Sequence, residues 1–293
     1  MLLRRLKERD LPRVGEIFGE AFGVQSPDPQ YLAALVATEP EGCLVAERAD
    51  RVIGYVISHR AGRVGYIGTV AVESAHRGKG HGRALTVAAR DHLAARCEVV
   101  GLAAEAEAGR NLELYASCGF VPTLPSVFLF RRVGQAAPAG GAEFVRTGRE
   151  LGAAGPGAVE QVRRWSDEVH PGLDLSADLE LFLRCWPDRV WFHQRDGEVD
   201  GVLADHEHFR GDPWGIVRPG PGDLEALGRL IDAREQQASG EFSFFHVHAC
   251  FGRVIDLLRQ RGFRIASSKS CMLLPGARWP TSSEALLVRP WWT

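Results

Sequence analysis

A glycine-rich turn leads from an apolar strand into a helix in the segment Val70-Ala71-Val72-Glu73-Ser74-Ala75-His76-Arg77-Gly78-Lys79-Gly80-His81-Gly82-Arg83. Glycines at alternate positions allow backbone conformations closed to other residues and a close approach of a ligand to the main chain. Apolar residues then recur at helical spacing, at Leu85, Ala88, Ala89 and Leu93. Because unpaired amides and the helix dipole favour an anion at a helix N-terminus, the segment predicts an anion-binding loop. The alternative is a glycine-rich connection without a ligand.

The glycine spacing excludes two common phosphate motifs. Neither G-x-G-x-x-G nor G-x-x-x-x-G-K-[ST] is present. The run Arg77-Gly78-Lys79-Gly80-His81-Gly82 resembles instead the Q/R-x-x-G-x-G/A signature of the GNAT superfamily of acyl-CoA N-acyltransferases. A second run, Asn111-x-x-x-Tyr115-x-x-x-Gly119-Phe120, is similar to another GNAT signature.

The resemblance implies an α/β fold, with a mostly antiparallel mixed sheet flanked by helices and splayed central strands, and acetyl-CoA as co-substrate. It implies a diphosphate site at the loop amides of Arg77, Gly78, Lys79, Gly80, His81, Gly82 and Arg83. The pantetheine arm would lie between the splayed strands, along Val70, Ala71 and Val72, with main-chain groups offered by Val70 and Val72. Asn111 would touch the CoA arm, and Tyr115 would sit by the thioester sulfur.

Tyr115 has a physical case of its own. When an amine attacks a thioester, a thiolate leaves, and a phenol of pKa about 10 is protonated at neutral pH and can donate to it. The alternatives are a tyrosine that packs on the core, and an Asn111 that only caps its helix. The spacing singles out no general base among the candidates Glu73, Glu105, Glu107, His59 and Tyr66.

The composition and the net charge indicate which classes of binding partner are not expected. The net charge of -2 gives no reason to expect a nucleic acid or a membrane surface. No apolar run approaches the ~20 residues of a membrane span, and charges interrupt the N-terminus where a signal peptide is apolar, so we expect a cytoplasmic protein. The six cysteines form no C-x-x-C pair. His206-Glu207-His208 and His246 to Cys250 are set too far apart in the expected sheet to share a metal, so we expect none.

The length of 293 residues fits two domains. Residues 134–142 have the small-residue, glycine and proline composition of a linker, which predicts a catalytic domain at 1–133 and a second domain at 143–293. Within the first domain, Asp10 is expected to cap a helix, and Ser126 to Arg132 to close the sheet as the final strand.

The second domain reads as a second copy of the first. Gly119-Phe120 recurs 143 residues later as Gly262-Phe263, and at this offset Phe128-Leu129-Phe130 maps onto Cys271-Met272-Leu273. An internal repeat explains these matches and the similar order of predicted elements. The alternative is an unrelated α+β domain.

The second copy lacks the features of the first site. Its loop reads Arg218-Pro219-Gly220-Pro221-Gly222-Asp223, in which prolines remove amide donors and Asp223 places a negative charge at the helix start. Val254 and Leu258 replace Asn111 and Tyr115. We therefore predict a degenerate copy without a CoA site, which shapes the substrate pocket or a dimer surface; a homodimer is left open.

These features favour an enzyme that moves an acetyl group from acetyl-CoA to the amine of a small molecule or peptide. Two alternatives remain. A CoA-binding regulatory or sensor protein would bind acetyl-CoA without turnover, and a non-enzymatic interaction protein would show no stabilisation by acetyl-CoA.

Overall fold

The computed structural model of the chain describes residues 1–23, 29–105, 108–134, 144–152, 155–205, 213–238 and 241–278. These residues fall into two compact units. The first contains Met1–Thr123 together with Ser270–Arg278, and the second contains Leu124–Lys269. The first unit is therefore built from two separate parts of the chain.

The first unit is a mixed sheet with helices packed against it. Its elements are β1 (Leu2–Arg5), α1 (Leu11–Phe22), α2 (Pro29–Thr38), β2 (Leu44–Arg48), β3 (Arg51–Ala61), β4 (Val64–Val72), α3 (His81–Ala94), β5 (Val99–Glu105) and α4 (Gly109–Ser117). The strand order is β1-β2-β3-β4-β5, followed by the C-terminal end of the strand at Arg264–Leu273. Pairing is antiparallel from β1 to β4 and parallel between β4 and β5. The predicted fold class, a mostly antiparallel mixed sheet with flanking helices, is confirmed.

The second unit repeats this order of elements, apart from an additional strand at its start and an additional short helix. It contains most of β6 (Val121–Arg132), then β7 (Val145–Thr147), α5 (Gly148–Leu151), α6 (Gly155–Val169), α7 (Ser176–Cys185), β8 (Val190–Arg195), β9 (Glu198–Ala204), β10 (Trp214–Val217), α8 (Asp223–Gln236), β11 (Phe242–His248), α9 (Gly252–Gln260) and the start of β12 (Arg264–Leu273). Strands β10-β9-β8-β7 form an antiparallel sheet, and β6 pairs antiparallel with β11.

Strands β4 and β5 diverge. They pair only from Val64 opposite Val99 to Tyr66 opposite Gly101, although β4 continues to Val72 and β5 to Glu105. Beyond the last pair, the edge of β4 that faces β5 no longer takes part in the ladder. The predicted splay of the central strands therefore lies directly before the glycine loop.

Backbone hydrogen bonds repeat at the offset found in the sequence. The amide of Phe120 donates to the carbonyl of Tyr115 at 3.1 Å, and that of Phe263 to the carbonyl of Leu258 at 3.1 Å. The glycine before each phenylalanine, Gly119 or Gly262, has a positive φ of 93° or 83° and ends its helix. Helices α3 and α8 both contain 14 residues. This agreement supports the interpretation of the second domain as a copy of the first.

One sequence prediction about the strands was wrong. Residues 126–132 do not close the first unit, because β6 pairs with β11 from Ser126 opposite His248 to Arg132 opposite Phe242, inside the second unit. The corresponding position in the first unit is taken by the end of β12, where the amide of Leu274 donates to the carbonyl of Val100 at 3.0 Å. Two strands of equivalent sequence can fill either place with similar shape, so the pattern alone did not reveal the exchange.

The units divide between Thr123 and Leu124, whereas the predicted linker at 134–142 lies mostly outside the described residues. The assignment of 1–133 and 143–293 as the two copies stays a prediction. The cap prediction at Asp10 also needs correction: its carboxylate accepts from the amide of Lys7 at 2.9 Å and from Arg4, and forms no cap bond to α1. No helix among the described residues is long and apolar enough to cross a membrane.

Candidate active site

The predicted anion loop lies between β4 and α3. Gly78 and Gly80 have φ values of 74° and 81°, in the left-handed region that favours glycine, and a Cβ at either position would meet nothing within 4 Å. Gly82 differs, because it lies inside the first turn of α3 and its φ is not positive. The conformational argument therefore applies to Gly78 and Gly80 and was wrong for Gly82.

The loop exposes backbone donors. Residues 77–80 are exposed, and the first intrahelical bond of α3 runs from the amide of Ala84 to the carbonyl of Gly80 at 3.0 Å. Within the described part of the chain, the amides of residues 78–83 meet no backbone acceptor. The side chain of Arg77 donates to the carbonyl of Val72 at 2.9 Å, and that of Lys79 to the carbonyl of Ala75 at 2.9 Å. These two cations lie beside the amides, so the loop carries positive potential on its open side.

Ion pairs that the sequence analysis missed hold the start of the loop. Glu73 follows β4, and its Oε1 accepts from Arg13 of α1 at 2.7 Å and from Arg51 at 2.6 Å. Glu20 of α1 accepts from the amide of Ser74 at 2.7 Å, and the hydrogen bonds from the side chain and from the amide of Ser74 lower the pKa of Glu20. No local spacing could have revealed these contacts, because the partners lie 22 to 60 residues apart.

Along β4, the main-chain N–H and C=O groups of successive residues point alternately to the two edges of the strand. The amide of Glu73 donates to the carbonyl of Ile53 in β3 at 2.9 Å. By the two-residue period of an antiparallel ladder, Ala71 also faces β3, while Val70 and Val72 direct their N–H and C=O groups to the splayed side. The carbonyl of Val72 is already bonded to Arg77. Val70 and the amide of Val72 therefore have main-chain groups on the splayed side, whereas Ala71 has none there, and their contact with a pantetheine arm stays a prediction.

Helix α4 brings the second motif to the loop. A Cβ on Gly82 would stand 3.7 Å from Cδ2 of Leu114, and Arg83 donates to the carbonyl of Ser117 at 3.3 Å. The helix that begins at the loop therefore packs directly against the helix that carries Asn111 and Tyr115. Asn111 is exposed in the first turn of α4, and its backbone amide donates to the carbonyl of Ala108 at 2.8 Å.

Tyr115 is half-buried and packs against the apolar core of the first unit. Among the described residues, its hydroxyl forms no hydrogen bond. Burial, and secondarily the neighbouring Cys118, raise the pKa of Tyr115 to about 12. The phenol is therefore protonated throughout the physiological range and can donate a hydrogen bond to a ligand.

The candidates for a general base differ in their burial and in their bonding partners. Glu73 is bound to two arginines, and His59 is buried with Nδ1 3.2 Å from the hydroxyl of Thr38. Tyr66 is buried in β4, and Glu105 is exposed at the end of β5. Glu107 lies outside the described residues. The geometry argues against Glu73 as a base, since its Oε1 is engaged by two cations.

The corresponding loop of the second unit is filled by the protein itself. Gly222 precedes α8 with a φ of 82°, and the guanidinium of Arg195 donates to the carbonyls of Pro221 at 3.0 Å and Gly222 at 3.1 Å. Asp223 is buried, accepts a hydrogen bond from the amide of Leu224 at 2.6 Å and pairs with Arg253 at 3.2 Å. An anionic side chain thus occupies the helix start where an anionic ligand would bind.

The histidines considered for a metal do not form a ligand cluster in the described structure. Nε2 of His246 lies 2.7 Å from the hydroxyl of Ser126, and Nδ1 of His248 lies 3.0 Å from Sγ of Cys250. His206 to His208 lie outside the described residues, and within those residues no group of three potential ligands converges.

Comparisons with known proteins place the first unit in a family. The Acetyltransferase (GNAT) family model matches residues 11–120, and no curated protein matches the sequence. A solved protein of Pyrococcus horikoshii, provisionally named an acetyltransferase, is 14% identical with a TM-score of 0.71, over 99% of this chain and 94% of that one. A GCN5-related N-acetyltransferase from Sphaerobacter thermophilus is 17% identical with a TM-score of 0.62, over 96% and 98%.

A GCN5-related N-acetyltransferase from Anabaena variabilis is also similar, with 14% identity, a TM-score of 0.59 and coverage of 93% of this chain and 72% of that one. At these identities the likenesses show a common fold, and they extend over both units. Residues 11–120 therefore match the model of the Acetyltransferase (GNAT) family, within a chain that has the fold of solved GCN5-related N-acetyltransferases.

Proposed function

We propose that the first unit binds acetyl-CoA and transfers its acetyl group to the amine of a small molecule or peptide. The observation that carries this proposal is the packing of α3 against α4 through Gly82 and Leu114. It places an open, donor-rich loop next to a helix with a half-buried phenol, Tyr115. A diphosphate-bearing thioester needs both kinds of group, one for binding and one for the leaving sulfur.

In this proposal the residues of the loop hold the diphosphate. The amides of residues 78–83 donate to its oxygens, while Arg77 and Lys79 add positive charge. Val70 and the amide of Val72 extend hydrogen bonds from the open side of β4 to the amides of the pantetheine arm. The arm then lies as an added strand between β4 and β5, as in other cases of strand addition. Asn111 contacts the same arm from α4.

Tyr115 acts at the leaving group. A phenol of pKa about 12 is a weaker acid than the thiol formed, for which a pKa near 8.5 is typical. Full transfer of the phenol proton is therefore uphill by about 3.5 pKa units, and the main contribution of Tyr115 is a hydrogen bond that strengthens as negative charge develops on sulfur. The thiolate obtains its final proton from the amine or from water.

The attacking amine has to lose a proton as well. We propose that water takes this proton and that Glu73 does not, because Arg13 and Arg51 already engage its Oε1. Glu73 then serves to hold the end of β4 and the loop in place. The second unit contributes no CoA site, since Arg195, Asp223 and Arg253 fill the corresponding loop.

A screen of amines and peptides that reports CoA release tests the activity. We expect turnover with at least one acceptor, a reduced turnover number in Tyr115→Phe, and unchanged binding of acetyl-CoA in that variant. Binding without CoA release from any acceptor in a broad screen would favour the regulatory or sensor protein instead. A thermal melt that does not shift with millimolar acetyl-CoA would exclude both, because a ligand at 100 times its Kd adds about 2.7 kcal/mol to the free energy of unfolding.

A further inference from the structure

Leu129 of β6 and Met272 of β12 occupy equivalent places in the two copies, 143 residues apart, and both are fully buried. The sequence assigns Leu129 to the first copy and Met272 to the second. The structure assigns them in reverse: Leu129 belongs to the second unit, and Met272 to the first. The first unit is thus completed by a strand from the end of the described chain.

Charge at one position distinguishes the two strands. Arg131 of β6 pairs with Glu235 at 2.6 Å, with both side chains at most 4% exposed, and donates to the carbonyl of Arg261 at 2.8 Å. Its guanidinium also lies 4.8 Å from the ring centroid of Phe263. The second unit therefore provides a carboxylate and a carbonyl as hydrogen-bond acceptors for a buried cation at this position. Breaking a buried ion pair of this kind lowers the free energy of unfolding strongly.

At the corresponding place in the described part of the first unit, one of these acceptors is already occupied. The carbonyl of Cys118, equivalent to that of Arg261, already accepts from Arg90 of α3 at 2.6 Å. The residue at the place of Arg131 is Leu274, directly after β12, which packs against the apolar cluster of the first unit. Arg131 and Leu274 thus match the chemistry of the units in which they lie.

Met272 enters the core that supports the candidate site. It belongs to one apolar cluster with Leu85 of α3 and Leu102 of β5, and Tyr115 and Val70 pack against the same cluster. The strand is fixed alongside β5 by the bond from the amide of Leu274 to the carbonyl of Val100, and Thr123 donates to the carbonyl of Cys271 at 3.0 Å. Loss of volume at Met272 would therefore loosen the packing under α4.

We propose that Met272, a residue of the second copy, is a positioning residue for Tyr115. It sets the place of α4 relative to β4, and so the place of the phenol relative to the thioester; this inference rests on the proposed function of the first unit. The role belongs to Met272 and not to Leu129, although Leu129 lies closer to Tyr115 in the sequence.

The test compares Met272→Ala with the matched variant Leu129→Ala in the full chain, with Met272→Leu as the conservative variant. Hydrogen exchange should rise in α4 and β5 for Met272→Ala, and in β11 for Leu129→Ala. Turnover should fall in Met272→Ala by about 10²-fold, the effect of a reacting group misplaced by 1 Å. It should be largely restored in Met272→Leu and unchanged in Leu129→Ala.

A spectroscopic titration adds a second readout, and Leu129→Ala, in which Tyr115 should still titrate near 12, is the control for a general loss of stability. Tyr115, identified by difference from Tyr115→Phe, should titrate near 12 in the wild type and closer to 10 in Met272→Ala, because water reaches the phenol. Protected α4 and an unshifted Tyr115 titration in Met272→Ala would overturn the proposal, as would an effect of Leu129→Ala on α4. Exchange and titration need no acceptor, so they decide the question even if no turnover is found.

Discussion

Gly80 and Gly222 have the same backbone conformation at the start of equivalent helices, with φ of 81° and 82°, but opposite surroundings. A Cβ on Gly80 would meet open space, whereas one on Gly222 would lie 2.6 Å from the guanidinium of Arg195. The same local geometry therefore leaves one loop accessible to a ligand and the other closed by the chain itself. This contrast defines where binding is expected.

Alanine substitutions separate the roles of the loop glycines. Gly80→Ala should lower the free energy of unfolding by about 1 kcal/mol and weaken acetyl-CoA binding, because a side chain strains a left-handed residue. Gly82→Ala is the matched control, with room for its methyl group 3.7 Å from Leu114 and a helical φ. It should raise stability by about 0.5 to 1 kcal/mol. Thermal melts and calorimetric titration measure both effects, and equal losses in the two variants would contradict the assignment.

The pH dependence of the turnover number tests whether the protonated phenol of Tyr115 contributes to the reaction. Since the pKa of Tyr115 is raised to about 12 and the protonated phenol is the active form, its contribution should persist through pH 10, where an ordinary tyrosine is half ionised. Tyr115→Phe should lower the turnover number by roughly 10²- to 10³-fold, the typical effect of removing one hydrogen bond to a developing negative charge. A wild-type rate that matches Tyr115→Phe at every pH would remove Tyr115 from the mechanism.

Glu73→Gln tests the anchor of the loop. The side chain is 12% exposed and bonded to Arg13 and Arg51, so we expect a loss of about 1 to 3 kcal/mol in the free energy of unfolding and weaker CoA binding. Glu98→Gln is the control, because Glu98 and Arg63 form an exposed pair of the kind worth about 0 to 1 kcal/mol. Full stability with turnover abolished in Glu73→Gln would instead identify Glu73 as the general base.

Binding stoichiometry tests the closed loop. Calorimetric titration with CoA should saturate at one molecule per chain, because Arg195, Asp223 and Arg253 occupy the second loop. Gly80→Ala should weaken this single event. Two CoA molecules per chain, or a site that persists unchanged in Gly80→Ala, would contradict the degenerate-copy interpretation.

Buried histidine makes the second unit sensitive to acid. Desolvation lowers the pKa of His248 from 6.5 to about 4, so the unfolded chain binds a proton that the folded chain does not. Its contribution is therefore present above pH 6.5 and lost as the pH falls toward 4, by on the order of 3 kcal/mol in total. Between pH 7 and pH 5, urea unfolding should show about 2 kcal/mol of this loss, and the loss should shrink in His248→Gln. An equal pH dependence in the variant would assign the effect to other groups.

Local features were predictable from the sequence, and long-range ones were not. The hydrophobic periodicity and the turn residues correctly predicted β5 at Val99–Glu105 and the loop before α3. These signals could be read from the sequence because they arise from residues only a few positions apart. The anchor of Glu73 by Arg13 involves residues 60 apart and leaves no local pattern. Likewise, the alternation of apolar residues predicts that β6 and β12 are strands, but it does not predict in which unit each of them lies. The residues that distinguish the two strands are Arg131 and Leu274, and Arg131 can be assigned to the second unit only once its partner Glu235 is known.

The placement of residues 270–274 beside β5 has a consequence for biosynthesis. A ribosome makes the sheet of the first unit early, but the free edge of β5 has no neighbour until Leu274 has been synthesised. Folding of this unit is thus tied to contacts of high sequence separation, which are typically slow to form. An uncovered strand edge also pairs readily with other chains. The nascent protein should therefore depend on chaperones more than its two modest-sized units would by themselves.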